Sequence, residues 1–90
     1  MSVVRVPPVL RSETGGAREV EATGSTVREL LTDLTTRLPA LGARVYEDGA
    51  IRSFVNVYVD GEDVRTSGGL DAPVRADATV VLLPAMAGGR

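Results

Sequence analysis

The sequence predicts an α+β fold in which a mixed β-sheet is covered on one side by one main helix. Three observations carry that expectation. Val27, Leu30, Leu31, Leu34 and Leu38 recur at helical spacing, so they form one apolar stripe along a helix. Phe54-Val55-Asn56-Val57-Tyr58-Val59 alternates strictly, placing three β-branched valines on one side of a strand. Short apolar runs lie near both ends of the chain, Val3-Val4-Arg5-Val6 and Val80-Val81-Leu82-Leu83. A leucine stripe needs an apolar surface to cover, and inward-facing valines supply one.

Each element follows in order. Residues 3–10 read as a first strand bent by Pro7-Pro8, since proline donates nothing to a ladder. Glu13-Thr14-Gly15-Gly16 is turn chemistry, and residues 18–22 alternate charged with small apolar side chains, which closes a β-hairpin. Thr26 and Glu29 have capping-box spacing at the start of the helix, and Pro39 marks its end. Residues 40–53 read as a loop with at most one helical turn, in which Leu41, Val45 and Ile51 are isolated anchors. After the strand at 54–59, Asp60-Gly61 turns the chain. A short strand at 62–65, a plain turn at Gly68-Gly69 and a last strand at 79–83 complete the expectation. The order is ββαβ(β)β. With the first and last strands parallel at the sheet centre, this is the β-grasp arrangement, a single domain over residues 1–84 followed by an extended, flexible tail at 85–90.

Composition narrows the chemistry. The 90 residues contain no cysteine, histidine or lysine. Disulfides, thiolate metal sites, thiol nucleophiles, imidazole bases and Schiff-base lysines are therefore all absent. Self-contained catalysis is not expected. Asp60, Glu62 and Asp63 lack the spacing of a calcium loop and read as a solvated acidic rim, so no metal site is assigned. The nine arginines up to Arg75 are scattered and the net charge is −2. With three aromatic residues in all, nucleic-acid binding is not supported. No apolar segment approaches membrane-spanning length, and residues 1–5 lack a basic-then-apolar signal pattern. A cytoplasmic location without membrane contact is the expectation.

The end of the chain is the most telling segment. Leu83-Pro84-Ala85-Met86-Ala87-Gly88-Gly89-Arg90 follows directly on the last strand. Terminal glycines are also what an ordinary frayed end contains. Two glycines after a strand, however, make a thin arm able to thread a narrow enzyme tunnel, which matters when a carboxylate on that arm is the reacting group. Phe54 and Tyr58 point away from the valine face, and Val81 and Leu83 are placed to do the same on the neighbouring strand. Together they predict an exposed apolar patch beside the tail, a docking surface of Phe54, Tyr58, Leu83, Pro84 and Met86.

These segments resemble the ubiquitin-like β-grasp sulfur carriers, the MoaD/ThiS family, and within it most nearly the CysO type. The likeness is densest at residues 54–59, at Glu62-Asp63-Val64-Arg65, at Ser67-Gly68-Gly69-Leu70 and at residues 83–89. The resemblance implies a carrier with no bound cofactor and no catalytic residue. An E1-like partner would adenylate the carboxylate of Gly89 with ATP, and a sulfur donor would convert it to a thiocarboxylate, with Ala87 and Gly88 threading the tunnel. The acceptor would be a pyridoxal-phosphate-dependent cysteine synthase, or equally a thiosugar synthase. Alternatives are the small subunit of molybdopterin synthase and a ubiquitin-like protein modifier. Family members of this type end at the second glycine, whereas Arg90 follows it here. Arg90 is then a mask removed by a JAMM-type metallopeptidase, or it is not native to the chain.

Overall fold

A computed structural model describes residues 1–84 of the chain. Strand β1 (Ser2–Arg5) pairs antiparallel with β2 (Glu19–Ala22) and parallel with the last strand, β7 (Thr79–Pro84). Strand β5 (Val55–Val59) pairs antiparallel with both β7 and β6 (Glu62–Asp63). The sheet order is β2-β1-β7-β5-β6. The expected mixed sheet with parallel first and last strands at its centre is what forms. Val4, Val80, Leu82, Val57 and Val55 fill its inner face, each at most 1% exposed.

Helix α1 (Val27–Arg37) lies across that face. Its Val27, Leu30, Leu31 and Leu34 are buried, each leucine contributing about 1.5–3 kcal/mol by removal from water. Thr26 caps the helix, its hydroxyl accepting from Glu29 N–H at 3.2 Å. The returning half of the box is displaced by one residue. Glu29 Oε1 accepts from the backbone N–H and hydroxyl of Ser25 at 2.9 and 2.8 Å, and these two bonds hold its pKa below the ordinary value of 4.5.

Four expectations are corrected. The first strand stops at Arg5, because Pro7 and Pro8 start a 3₁₀ helix over Pro8–Thr14 that buries Leu10. Pro39 ends α1 yet also begins a second helix, α2 (Pro39–Val45), since proline at the first helical position gives up an N–H that has no partner there. Leu41 and Val45 anchor α2 in the core, and a small hairpin of β3 (Tyr46–Glu47) and β4 (Ala50–Ile51) follows where a loop is expected. After Asp63 the chain forms a 3₁₀ turn, Val64–Thr66, instead of continuing as a strand. The Asp63 carboxylate makes that turn by accepting from Arg65 N–H at 2.9 Å.

Asp60 and Gly61 both have positive φ, 49° and 89°, the backbone of a tight hairpin connection. Asp60 also accepts from the Thr79 N–H at 3.0 Å. Two members of the acidic trio, Asp60 and Asp63, are therefore local structural acceptors. Among the described residues no group of three or more potential ligands could hold a metal ion, and no helix is long and apolar enough to cross a membrane.

Candidate functional site

The outer face of the sheet is set by strand register. Because Val80 and Leu82 face the core, Val81 and Leu83 must face outward. On β5 the same alternation turns Asn56 and Tyr58 outward. Register then brings Tyr58 directly opposite Val81, and Asn56 opposite Leu83. Leu83 is 42% exposed, whereas Tyr58 and Val81 are half-buried. Tyr58, Val81 and Leu83 thus share the outer face, as strand parity predicts. Pro84 is the last residue of β7, exposed and opposite Val55.

Phe54 departs from expectation. The strand begins at Val55, and Phe54 sits in the preceding turn, 42% exposed. The guanidinium of Arg52 lies over its ring, 4.9 Å from the centroid, a geometry in which the ring quadrupole attracts the cation. Arg52 also pairs with Glu47. Arg65 crosses the neighbouring surface, donating to Asn56 Oδ1 at 2.6 Å and to the Arg52 carbonyl at 3.1 Å. One end of the patch is therefore a braced arginine-aromatic cluster. Sequence reasoning missed it because Arg52, Asn56 and Arg65 meet only after β5 and β6 fold back together.

A second gathering was also missed. Arg5, Arg11 and Arg18, scattered along the chain, line one cleft with Val6 and Glu19. Arg5 ends β1, Arg18 immediately precedes β2 and Arg11 lies in the connection between them, so closure of the hairpin, and not their spacing, brings them together. Met86, Ala87, Gly88, Gly89 and Arg90, the remaining predicted site residues, lie outside the described residues. What the structure fixes is where they begin. They follow Pro84, at the end of a central strand whose outer face carries Val81 and Leu83.

The ThiS family model matches residues 4–89, ending at the second glycine of the pair. The chain belongs to the ThiS family. Sulfur carrier protein CysO of Mycobacterium tuberculosis is 39% identical over 89 residues, covering 96% of each chain. A chain in the crystal structure of the Amycolatopsis orientalis BexX/CysO complex superposes with a TM-score of 0.87 at 44% identity, covering 94% of this chain and 96% of that one. The small archaeal modifier protein 1 of Methanosarcina acetivorans matches at 0.83 and 25% identity, covering 98% and 95%. The β-grasp, ubiquitin-like assignment and the resemblance to CysO are thereby established. A ThiS-family chain of this kind is a sulfur carrier and not itself an enzyme.

Proposed function

We propose that the chain carries sulfur as a thiocarboxylate on Gly89 and delivers it to a biosynthetic acceptor enzyme. The observation that carries this reading is the family match, which runs through the diglycine and stops at Gly89, together with CysO identity over nearly the whole chain. The chemistry is consistent with the composition. A carboxylate is a poor acyl donor because its leaving group would be oxide. Attack of a Gly89 carboxylate oxygen on the α-phosphorus of ATP expels pyrophosphate and gives an acyl adenylate. Hydrosulfide then attacks the acyl carbon, AMP leaves with the electron pair, and loss of the S–H proton leaves the thiocarboxylate. A chain without cysteine or lysine offers no thiol or ε-amine of its own to capture that adenylate.

In this reading the outer sheet face of Tyr58, Val81 and Leu83, with Phe54 and Pro84 at its end, docks the E1-like activating enzyme. Gly89 is the fifth residue after Pro84 and can lie at most roughly 18 Å from it when fully extended. The partner's nucleotide site then lies within that distance of its contact with Pro84. The acceptor is a cysteine synthase using pyridoxal phosphate or a thiosugar synthase, and Arg90 is removed by a JAMM-type metallopeptidase before activation. That the related CysO chain occurs in a complex with BexX supports a partner-dependent role. Intact mass of the protein from its native host is the test. Loss of Arg90 with exchange of one oxygen for sulfur is the expected result, and Arg90 retained with no sulfur, under conditions that demand the product, refutes the reading.

The likeness to a small archaeal modifier protein favours one second reading, attachment of Gly89 to lysines of other proteins. Isopeptide-linked adducts in host lysate would identify it.

A further inference from the structure

A cleft of about 420 Å³ opens at the end of β1, lined by Arg5, Val6, Arg11, Arg18 and Glu19. Three arginines and a single acidic residue line it, in a chain whose net charge is −2. Glu19 lies 3.7 Å from Arg5 Nε. Among the described residues, Arg11 and Arg18 have no carboxylate partner.

The walls are braced. Arg11 Nε donates to the Val6 carbonyl at 3.1 Å, and Val6 N–H donates to the Arg18 carbonyl at 2.8 Å. Gly16 N–H donates to the Arg11 carbonyl at 2.7 Å, and the Thr14 hydroxyl lies 3.0 and 2.9 Å from the carbonyls of Arg11 and Ala17. Leu10 pins the 3₁₀ segment to the core. The position is equally specific. Arg5 is on the outer face of the sheet, beside Val81, which is itself opposite Tyr58. Because β1 and β7 run parallel, the cleft is at the end of the sheet where Pro84 leaves it.

We propose that this cleft receives a carboxylate-rich segment of the activating enzyme, flanking the apolar contact made by Tyr58, Val81 and Leu83. The inference rests on the docking reading above. Arginine forks match carboxylates in a planar, bidentate geometry, and charges at the rim of an interface act chiefly on encounter rate and its salt dependence. An acidic carrier approaching an acidic surface would be repelled, and a local cluster of three arginines gives the approach an orientation.

Two experiments separate the possibilities. The full chain, observed by amide NMR, is titrated with a hexaglutamate peptide and separately with inorganic phosphate at matched ionic strength. The peptide is expected to shift Arg5, Val6, Arg11 and Arg18, with the response lost in Arg11→Ala/Arg18→Ala. No response, or an equal response to phosphate, overturns the proposal, the latter by defining a simple anion subsite. Activation kinetics supply the second arm, using Arg18→Glu, an exposed position outside the core. Its kcat/KM should fall about tenfold at low salt, and the gap to wild type should close as salt screens the contact. An unchanged salt dependence overturns the cleft proposal while leaving sulfur transfer intact. If wild type acquires no sulfur, the reading beneath fails, and the peptide titration alone decides the cleft.

Discussion

Replacing Leu83 with alanine tests the docking face directly. Leu83 is 42% exposed, so a partner can cover about two-fifths of a side chain whose full burial contributes about 1.5–3 kcal/mol. That fraction gives about 0.6–1.3 kcal/mol, or roughly a three- to ninefold loss in kcat/KM for activation. Leu83→Asp should lose more than the alanine variant, since a docked carboxylate without a partner adds a desolvation cost. Neither change touches the core, because the side chain faces away from Val57 and Leu82. Loss of strand propensity costs at most about 1 kcal/mol, which urea denaturation can verify. The assay is the rate of thiocarboxylate formation with a cognate activating enzyme, ATP and a sulfur donor at subsaturating carrier. If folded Leu83→Asp is activated as fast as wild type, the outer face is not where the enzyme docks.

Other expectations concern the scaffold. Leu31→Ala, at a fully buried position under the sheet, should cost about 2–5 kcal/mol in urea denaturation with an unchanged slope. Gly42→Ala should also destabilise, because a Cβ there would sit 2.5 Å from Thr35 Cα where α2 crosses α1. The overpacking penalty of about 1–3 kcal/mol exceeds the helix-propensity gain of about 0.8–1 kcal/mol, and a raised melting temperature would show that the helices part freely. Glu29 has a lowered pKa in the folded chain through its bonds to Ser25, so its contribution is fully present above the ordinary value of 4.5 and is lost as pH falls through the lowered one. The stability advantage of wild type over Glu29→Gln should shrink over that acid range, and an advantage that grows on acidification contradicts the assignment.

Much of this was legible in the sequence because its strongest signals are periodic. The leucine stripe of α1 and the alternation of β5 each specify a buried face without reference to anything distant, and both formed, save that Leu38 caps α1 and Phe54 precedes β5. The misreadings fall where local chemistry has two uses. Pro39 stops one helix and starts another. Pro7-Pro8 ends pairing early, and the freed segment coils into a 3₁₀ helix because Leu10 still has a core to reach. On the candidate site, parity alone placed Tyr58 and Leu83 on one face. The clusters of Arg52 with Arg65, and of Arg5 with Arg11 and Arg18, depend on which turns close against which strands, and spacing along the chain does not encode that.

The central claim is that Gly89 is the atom-bearing terminus of a sulfur carrier, with Arg90 removed first. The most direct measurement compares residues 1–89 with residues 1–90 under a cognate activating enzyme, ATP and a sulfur donor, following intact mass. An activating pocket that takes a carboxylate at the end of two glycines leaves no place for a guanidinium, and activation one residue further on would misplace the sulfur for a positioned acceptor. The 1–89 form should gain the mass of one oxygen-to-sulfur exchange while the 1–90 form remains unchanged. Equal conversion of both, with the sulfur of the longer form on Arg90, would contradict both the masking role and the assignment of Gly89.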